Sequence, residues 1–291
     1  MSRSDLPTAA RSDSYTRRRR PLSERLLDRG FRQITFGLAT TVAFILLAIL
    51  LTVSRGAEEA FHHFGLRFIT TSDWNPVQET YGALTAIYGT LITSLLALLL
   101  AVPLGVGTAL FITEDLIPIP LREAIGLMVE LLAAIPSVVL GLWAIFVLEP
   151  AIRPLLQMLH QLFGWMPLFS TVPQGPGIAP AVLILVVMIL PIITAISRDA
   201  LNQVPIELRQ GAYGIGATRW GAIFNIILPA AVSAIMGGVM LALGRAMGET
   251  MAVTMIIGNS LKFSLSLLAP GTTIASLLAN QFGRSEEHTS E

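Results

Sequence analysis

The sequence predicts an all-α polytopic membrane protein, and three observations carry that reading. Of its 291 residues 53% are hydrophobic and only 13% charged, against about 25% charged in an ordinary soluble domain. The mean hydropathy is +0.69. Five stretches, residues 34–53, 82–112, 125–148, 178–196 and 230–258, are apolar enough and long enough to span, since about 20 helical residues cross a hydrocarbon layer of roughly 30 Å. The balance of 19 basic and 19 acidic residues argues against nucleic acid as a partner, which a basic excess would attract. The absence of cysteine removes thiolate nucleophiles, Cys-based zinc sites and disulfides, and leaves the compartment open.

The elements follow in chain order. Residues 1–33 hold nine of the 18 arginines with few apolar residues, so they read as a disordered, Arg-rich tail, retained in the cytoplasm and able to touch anionic lipid. The first span is too long for a signal-peptide core, and Ser54 to Glu58 is a poor cleavage site, so it reads as a true helix. Threading from an inside N-terminus puts the loops 54–81 and 149–177 outside, and 113–124 and 197–229 inside. Proline interrupts three spans, at Pro103, Pro136 and Pro191, where it frees a carbonyl that neighbours or water must satisfy. Functional kinks and simple packing both account for them. Gly105, Gly107, Gly237 and Gly238 read as close helix contacts, and Glu130 as an interfacial charge. His62, His63, His160 and His288 lie in loops or the tail without ligand spacing, so no metal site is expected, and no cofactor.

The fifth span carries two charges, Arg245 and Glu249. A charge at mid-membrane costs about 2.5–3.5 kcal/mol or more, so the two are expected to pair. Spaced i and i+4, they share one helix face. Two roles stand open: an ion pair that stabilises the bundle, or a guanidinium fork for an anion that Glu249 holds in place, with Thr250 as a hydroxyl donor.

The loop from Pro205 to Trp220 predicts a short amphipathic helix after the proline, a glycine turn and a second helix leading back to the membrane. Within it Gln210, Gly211, Ala212 and Gly216, followed by Ile226, Leu228 and Pro229, match without a gap the spacing of the EAA loop, and the segment resembles that loop of bacterial ABC importer permeases. Gln210 stands where the family has an acid, and Gly211 where it has its first alanine. The resemblance implies a coupling helix, with Glu207, Gln210, Gly211, Ala212 and Gly216 facing an ATP-hydrolysing subunit. The chain has no phosphate-binding P-loop of its own, and Lys262 is its only lysine.

Leu243 to Val253, with its Arg-Ala-Met-Gly-Glu-Thr core, resembles the signature of phosphate-specific permeases of the PstC type. Glu130 to Trp143 and Gly82 to Gly105 resemble them too, and the likeness runs from about residue 34 to 283. It implies a type I importer helix bundle and a transporter subunit, not an enzyme, in the bacterial inner membrane. The implied partners are a second, PstA-like permease, PstB-like ATP-binding subunits and a PstS-like periplasmic phosphate-binding protein. A permease for molybdate or sulfate is the nearest alternative, and a membrane sensor or intramembrane enzyme a more distant one. Such permeases have six spans where five are visible here, so residues 284–291 are expected to be a non-family tail from a truncated or artefactual end.

Overall fold

In the computed structural model, residues 22–75, 80–114 and 116–281 are described. The arginine run 17–20 and the tail 284–291 lie outside them. The described residues form helices with one isolated antiparallel bridge, Asn75 to Thr80, and five helices are long and apolar enough to cross a membrane. They divide into two compact units, meeting in sequence at Gly65 and Leu66.

The first unit contains one helix, α1 (Leu22–Phe64), far longer than the span 34–53. Residues 22–33, expected within a disordered tail, and 54–64, expected as loop, both continue it, because helix propensity at residues such as Leu27, Ala57 and Glu58 extends beyond the apolar run. It stops where Gly65 takes a left-handed φ of 57°, the conformation of a helix C-terminal glycine.

The second unit begins with α2 (Arg67–Thr70) and the long α3 (Leu84–Thr113). Next come α4 (Ile119–Ala134), α5 (Ser137–Trp143) and α6 (Glu149–Phe163), the last two joined by a π turn at Ala144–Leu148. The span expected at 125–148 is therefore not one helix. Pro136 holds Ile135 extended at φ −72° and ψ 127° and ends α4, as proline does to its predecessor. The long apolar helix runs instead from Ser137 to Phe163. Pro103 and Pro191 differ, lying inside unbroken helices.

The remaining elements are α7 (Ile178–Asn202), α8 (Ile206–Gly214), α9 (Arg219–Ala222), a second π turn (Ile223–Ile227), α10 (Leu228–Met247), α11 (Met251–Ile256) and α12 (Ile274–Gln281). Each π turn ends two residues before a proline, Pro150 or Pro229. A proline ring clashes with the carbonyl four residues back, and widening that turn relieves the clash.

The core lies between α3, α7 and α10, where Ala97, Ala101, Ile189, Ile193 and Ala242 are fully or almost fully buried. Thr90, Thr93 and Ser94 enter this apolar layer because their hydroxyls donate to carbonyls four residues earlier, at 2.7–2.8 Å. Two of the four glycines make the expected close contacts. A Cβ on Gly105 would meet Ile193 at 2.7 Å and one on Gly238 would meet Ile196 at 2.8 Å, whereas Gly107 and Gly237 face open space. Whether a glycine faces a neighbour depends on helix rotation, which composition does not encode.

At one end of the unit the loops knit α7 to the rest. The amides of Gly177, Ile178 and Ala179 would be orphan donors at a helix start, and they donate to the carbonyls of Ile256, Ala269 and Leu267 at 2.8–3.1 Å. Gly89 lies so close to the Thr272 carbonyl that a Cβ there would overlap it. Gly89→Ala is expected to destabilise this end by about 1–3 kcal/mol, the usual cost of overpacking. Faster amide exchange of residues 271–276 would register it, and unchanged exchange would count against the contact. The C-terminal ends of α3 and α7, with α8 and α9, gather at the opposite end.

Candidate substrate path and coupling surface

Arg245 occupies the last turn of α10, and Glu249 lies beyond the helix end at Met247. The single helix expected over 230–258 is thus broken at Gly248-Glu249-Thr250. Gly248 closes α10 with φ −90° and ψ 0°. The expected pair forms across this break: Arg245 Nη2 lies 3.1 Å from Glu249 Oε2. Glu249 Oε1 also accepts the Ala252 amide at 3.2 Å, so the carboxylate caps the first turn of α11, where negative charge is favoured.

Exposure separates the two partners. The Glu249 side chain is 4% exposed and that of Arg245 49%. The acid is built into the fold, and the guanidinium, with five N–H donors, projects from it. Thr250 stands beside them, with its hydroxyl donating to the Gly248 carbonyl at 3.2 Å.

Depth follows from packing. Gly238 lies against Ile196 near one end of α7, and the Ile256 carbonyl meets Gly177 at the other. Arg245 is seven residues beyond Gly238, about 10 Å at 1.5 Å per residue. That puts the pair near the middle of α7, at mid-depth in the bundle.

The loop folds as its punctuation predicts. Pro205 precedes α8, Gly216 takes a left-handed φ of 83°, and the Thr218 hydroxyl accepts the Gly221 amide at 3.2 Å to cap α9. Glu207, Gln210, Gly211 and Gly216 are exposed, while Ala212 is 1% exposed. Trp220 and Phe224, half exposed, stack 5.8 Å apart beside them. A short helix with a polar edge and an apolar, aromatic border is the shape that enters a partner's groove.

Sequence reasoning missed what fastens α8. Arg209 Nη1 donates to Glu114 Oε1, and its Nη2 to the Leu201 carbonyl at 2.7 Å. The residues are 95 positions apart; the only local hint is an acid closing an apolar run. Glu130 lies 3.6 Å from Arg198, with its side chain 67% exposed. Of the histidines, His62 and His63 belong to the last turn of α1 and His160 to α6, where loops were expected. His288 lies outside the described residues, among which no cluster of three or more metal-ligating side chains occurs.

Residues 101–280 match the family model for the binding-protein-dependent transport system inner membrane component. The chain is 46% identical over 282 residues to the phosphate transport system permease protein PstC of Mesorhizobium japonicum, covering 95% of this chain and 85% of that one. The chain belongs to the PstC family of inner-membrane permeases. The PstC protein of Pasteurella multocida is 44% identical to this permease over 266 residues, covering 90% and 83%. Among solved structures, the inward-facing MetNI methionine ABC transporter aligns at 18% identity with a TM-score of 0.47, covering 71% of this permease and 80% of that chain. By its family the permease is a multi-pass membrane subunit of an ABC importer, with five helices among its described residues long and apolar enough to cross a membrane. ATP-binding and substrate-binding subunits accompany such a permease, and it is not itself an enzyme.

Proposed function

We propose that this permease carries inorganic phosphate across the bacterial inner membrane, with Arg245 as the contact for the anion. The observation that carries the reading is the asymmetric pair: a buried Glu249 holding a half-exposed Arg245 at mid-depth. A guanidinium there attracts an oxyanion and offers it a planar fork of donors, and the fixed carboxylate neutralises the guanidinium when the anion has left. Thr250 lies close enough to add a hydroxyl. The naming of the PstC relatives supports phosphate over other oxyanions.

The partners in this reading are a PstA-like second permease, two PstB-like ATP-binding subunits and a PstS-like periplasmic protein that delivers phosphate. The N-terminus is cytoplasmic, as are α8 and α9, which present Glu207, Gln210, Gly211 and Gly216 to the ATP-binding subunit; Ala212, expected on that face, is buried and seats α8 instead. Closure of that subunit on ATP pushes α8 and α9 and switches the bundle between outward and inward access as a rigid-body motion.

The test is uptake by vesicles holding the full complex. ATP-dependent accumulation of labelled phosphate is expected, undiminished by a hundredfold excess of sulfate or molybdate. Equal uptake of either competitor would assign the permease to another oxyanion. Phosphate entry without ATP would sink the importer reading.

A further inference from the structure

We infer that Arg209 is a positioning residue that clamps α8 to the α3–α7 pair, so that movement of α8 drives those two helices as one body. The inference rests on the reading above that α8 receives the push of the ATP-binding subunit. It goes beyond that reading by naming the connection through which the push enters the bundle.

The geometry is that of a three-way joint. In α8, Arg209 and Ala212 are the residues that are not exposed. Ala212 is buried, its carbonyl accepts the Ala217 amide at 3.0 Å, and α8 as a whole packs on the second π turn, on the α10 side of the loop. Arg209 alone reaches the other way. Its Nη1 donates to Glu114, the residue that closes α3, and its Nη2 to the carbonyl of Leu201 in the last turn of α7. Both side chains are largely buried, 18% exposed for Arg209 and 8% for Glu114.

Three physical reasons make this more than a surface contact. The C-terminal ends of α3 and α7 are where helix dipoles favour a cation. The Leu201 carbonyl belongs to the last turn of α7, where it accepts the Val204 amide at 3.3 Å, and Arg209 adds a charged donor to it at 2.7 Å. A buried ion pair with one partner removed leaves an uncompensated charge, so the joint resists opening. Beyond the joint, α3 and α7 are locked by the close approach of Gly105 to Ile193, so a force on Glu114 and Leu201 moves both. Without Arg209, α8 stays attached to α10 through its packing on the second π turn and through the chain itself, and the α3–α7 pair lags.

The experiment uses the reconstituted complex with its binding protein and measures phosphate accumulated per ATP hydrolysed. Arg209→Gln and Glu114→Gln are each expected to co-purify with the ATP-binding subunit and hydrolyse ATP, while phosphate per ATP falls by about tenfold, within the roughly 5- to 150-fold range of coupling between sites. Arg209→Lys, which keeps the charge but lacks the planar fork and reach of the guanidinium, is expected to assemble normally and to give a ratio between those of the native protein and Arg209→Gln. An unchanged ratio in Arg209→Gln overturns the inference. So does loss of assembly in all three variants, which would make the pair a folding contact. The reading beneath it is tested separately: the chain has no cysteine, so Gln210→Cys can be cross-linked to the ATP-binding subunit. Failure of that cross-link, with uptake intact, removes α8 as the docking site and takes the inference with it; cross-linking with an unchanged ratio in Arg209→Gln removes the inference alone.

Discussion

A permease carrying both Arg245→Gln and Glu249→Gln is expected to assemble with its partners and to lose phosphate uptake by at least about 100-fold. The size follows from the bonds at stake: a hydrogen bond to a charged group contributes about 1.5–3 kcal/mol, and two of them lost from a bound oxyanion amount to roughly 100-fold or more in rate. Arg245→Gln alone is expected to abolish uptake with assembly intact, but it leaves the buried Glu249 carboxylate without its partner, a change that can weaken the fold. The double variant removes both charges together, and a glutamine at 249 still offers an oxygen to the Ala252 amide. Size-exclusion profiles of the complex and ATP-dependent uptake of labelled phosphate are the two measurements. If Arg245 and Glu249 served only to hold the bundle, the neutral pair would transport as the native protein does, and that result would sink the anion-contact role. Loss of the assembled complex would likewise support a structural pair.

The second large effect is expected at the coupling loop. Ala212 is 1% exposed, whereas Gln210, two residues earlier, is exposed. Ala212→Glu forces a carboxylate into that contact, at a cost of several kcal/mol unless α8 lifts away. Lifting α8 misplaces Glu207, Gln210 and Gly211 together. Uptake is therefore expected to fall by about 100-fold or more, roughly 2.7 kcal/mol in a rate, with loss of co-purified ATP-binding subunit. Gln210→Glu restores the acid of the EAA pattern at an exposed site and is expected to change uptake by less than about twofold, as surface substitutions usually do. A transporting Ala212→Glu permease would show that α8 does not need its seat. A large loss in Gln210→Glu would show that position 210 is read chemically by the partner.

The two Arg–Glu pairs show how far reasoning along the chain reaches. Arg245 and Glu249 are four residues apart, so their pairing was legible from spacing and from the cost of lone charges in lipid. The break between them was not, because nothing in Gly248-Glu249-Thr250 distinguishes a helix end from a helix interior until Ala252 finds the Glu249 carboxylate. Glu114 and Arg209 are brought together only by the packing of α3 on α7. Pro136 was visible as an interruption, yet whether such a proline stays inside a helix, as Pro103 and Pro191 do, or ends one depends on the neighbours at each site. The continuation of α1 through residues 54–64 was hidden because the hydropathy signal ends at the edge of the apolar run although helix propensity does not.

By itself the sequence determined the solvent, the all-helical class and the loop. Apolar runs of this length must be helices in lipid, since every backbone N–H and C=O has to be satisfied within its own segment, and Pro205 with Gly216 leaves the coupling segment little alternative to helix, turn and helix. Tertiary structure decided which glycines touch a neighbour, where two helices break, and that Glu249 is enclosed while Arg245 is half exposed. Those outcomes depend on the rotation and depth of one helix against another, and such angles are set by side-chain packing across the whole bundle rather than by any local run of residues.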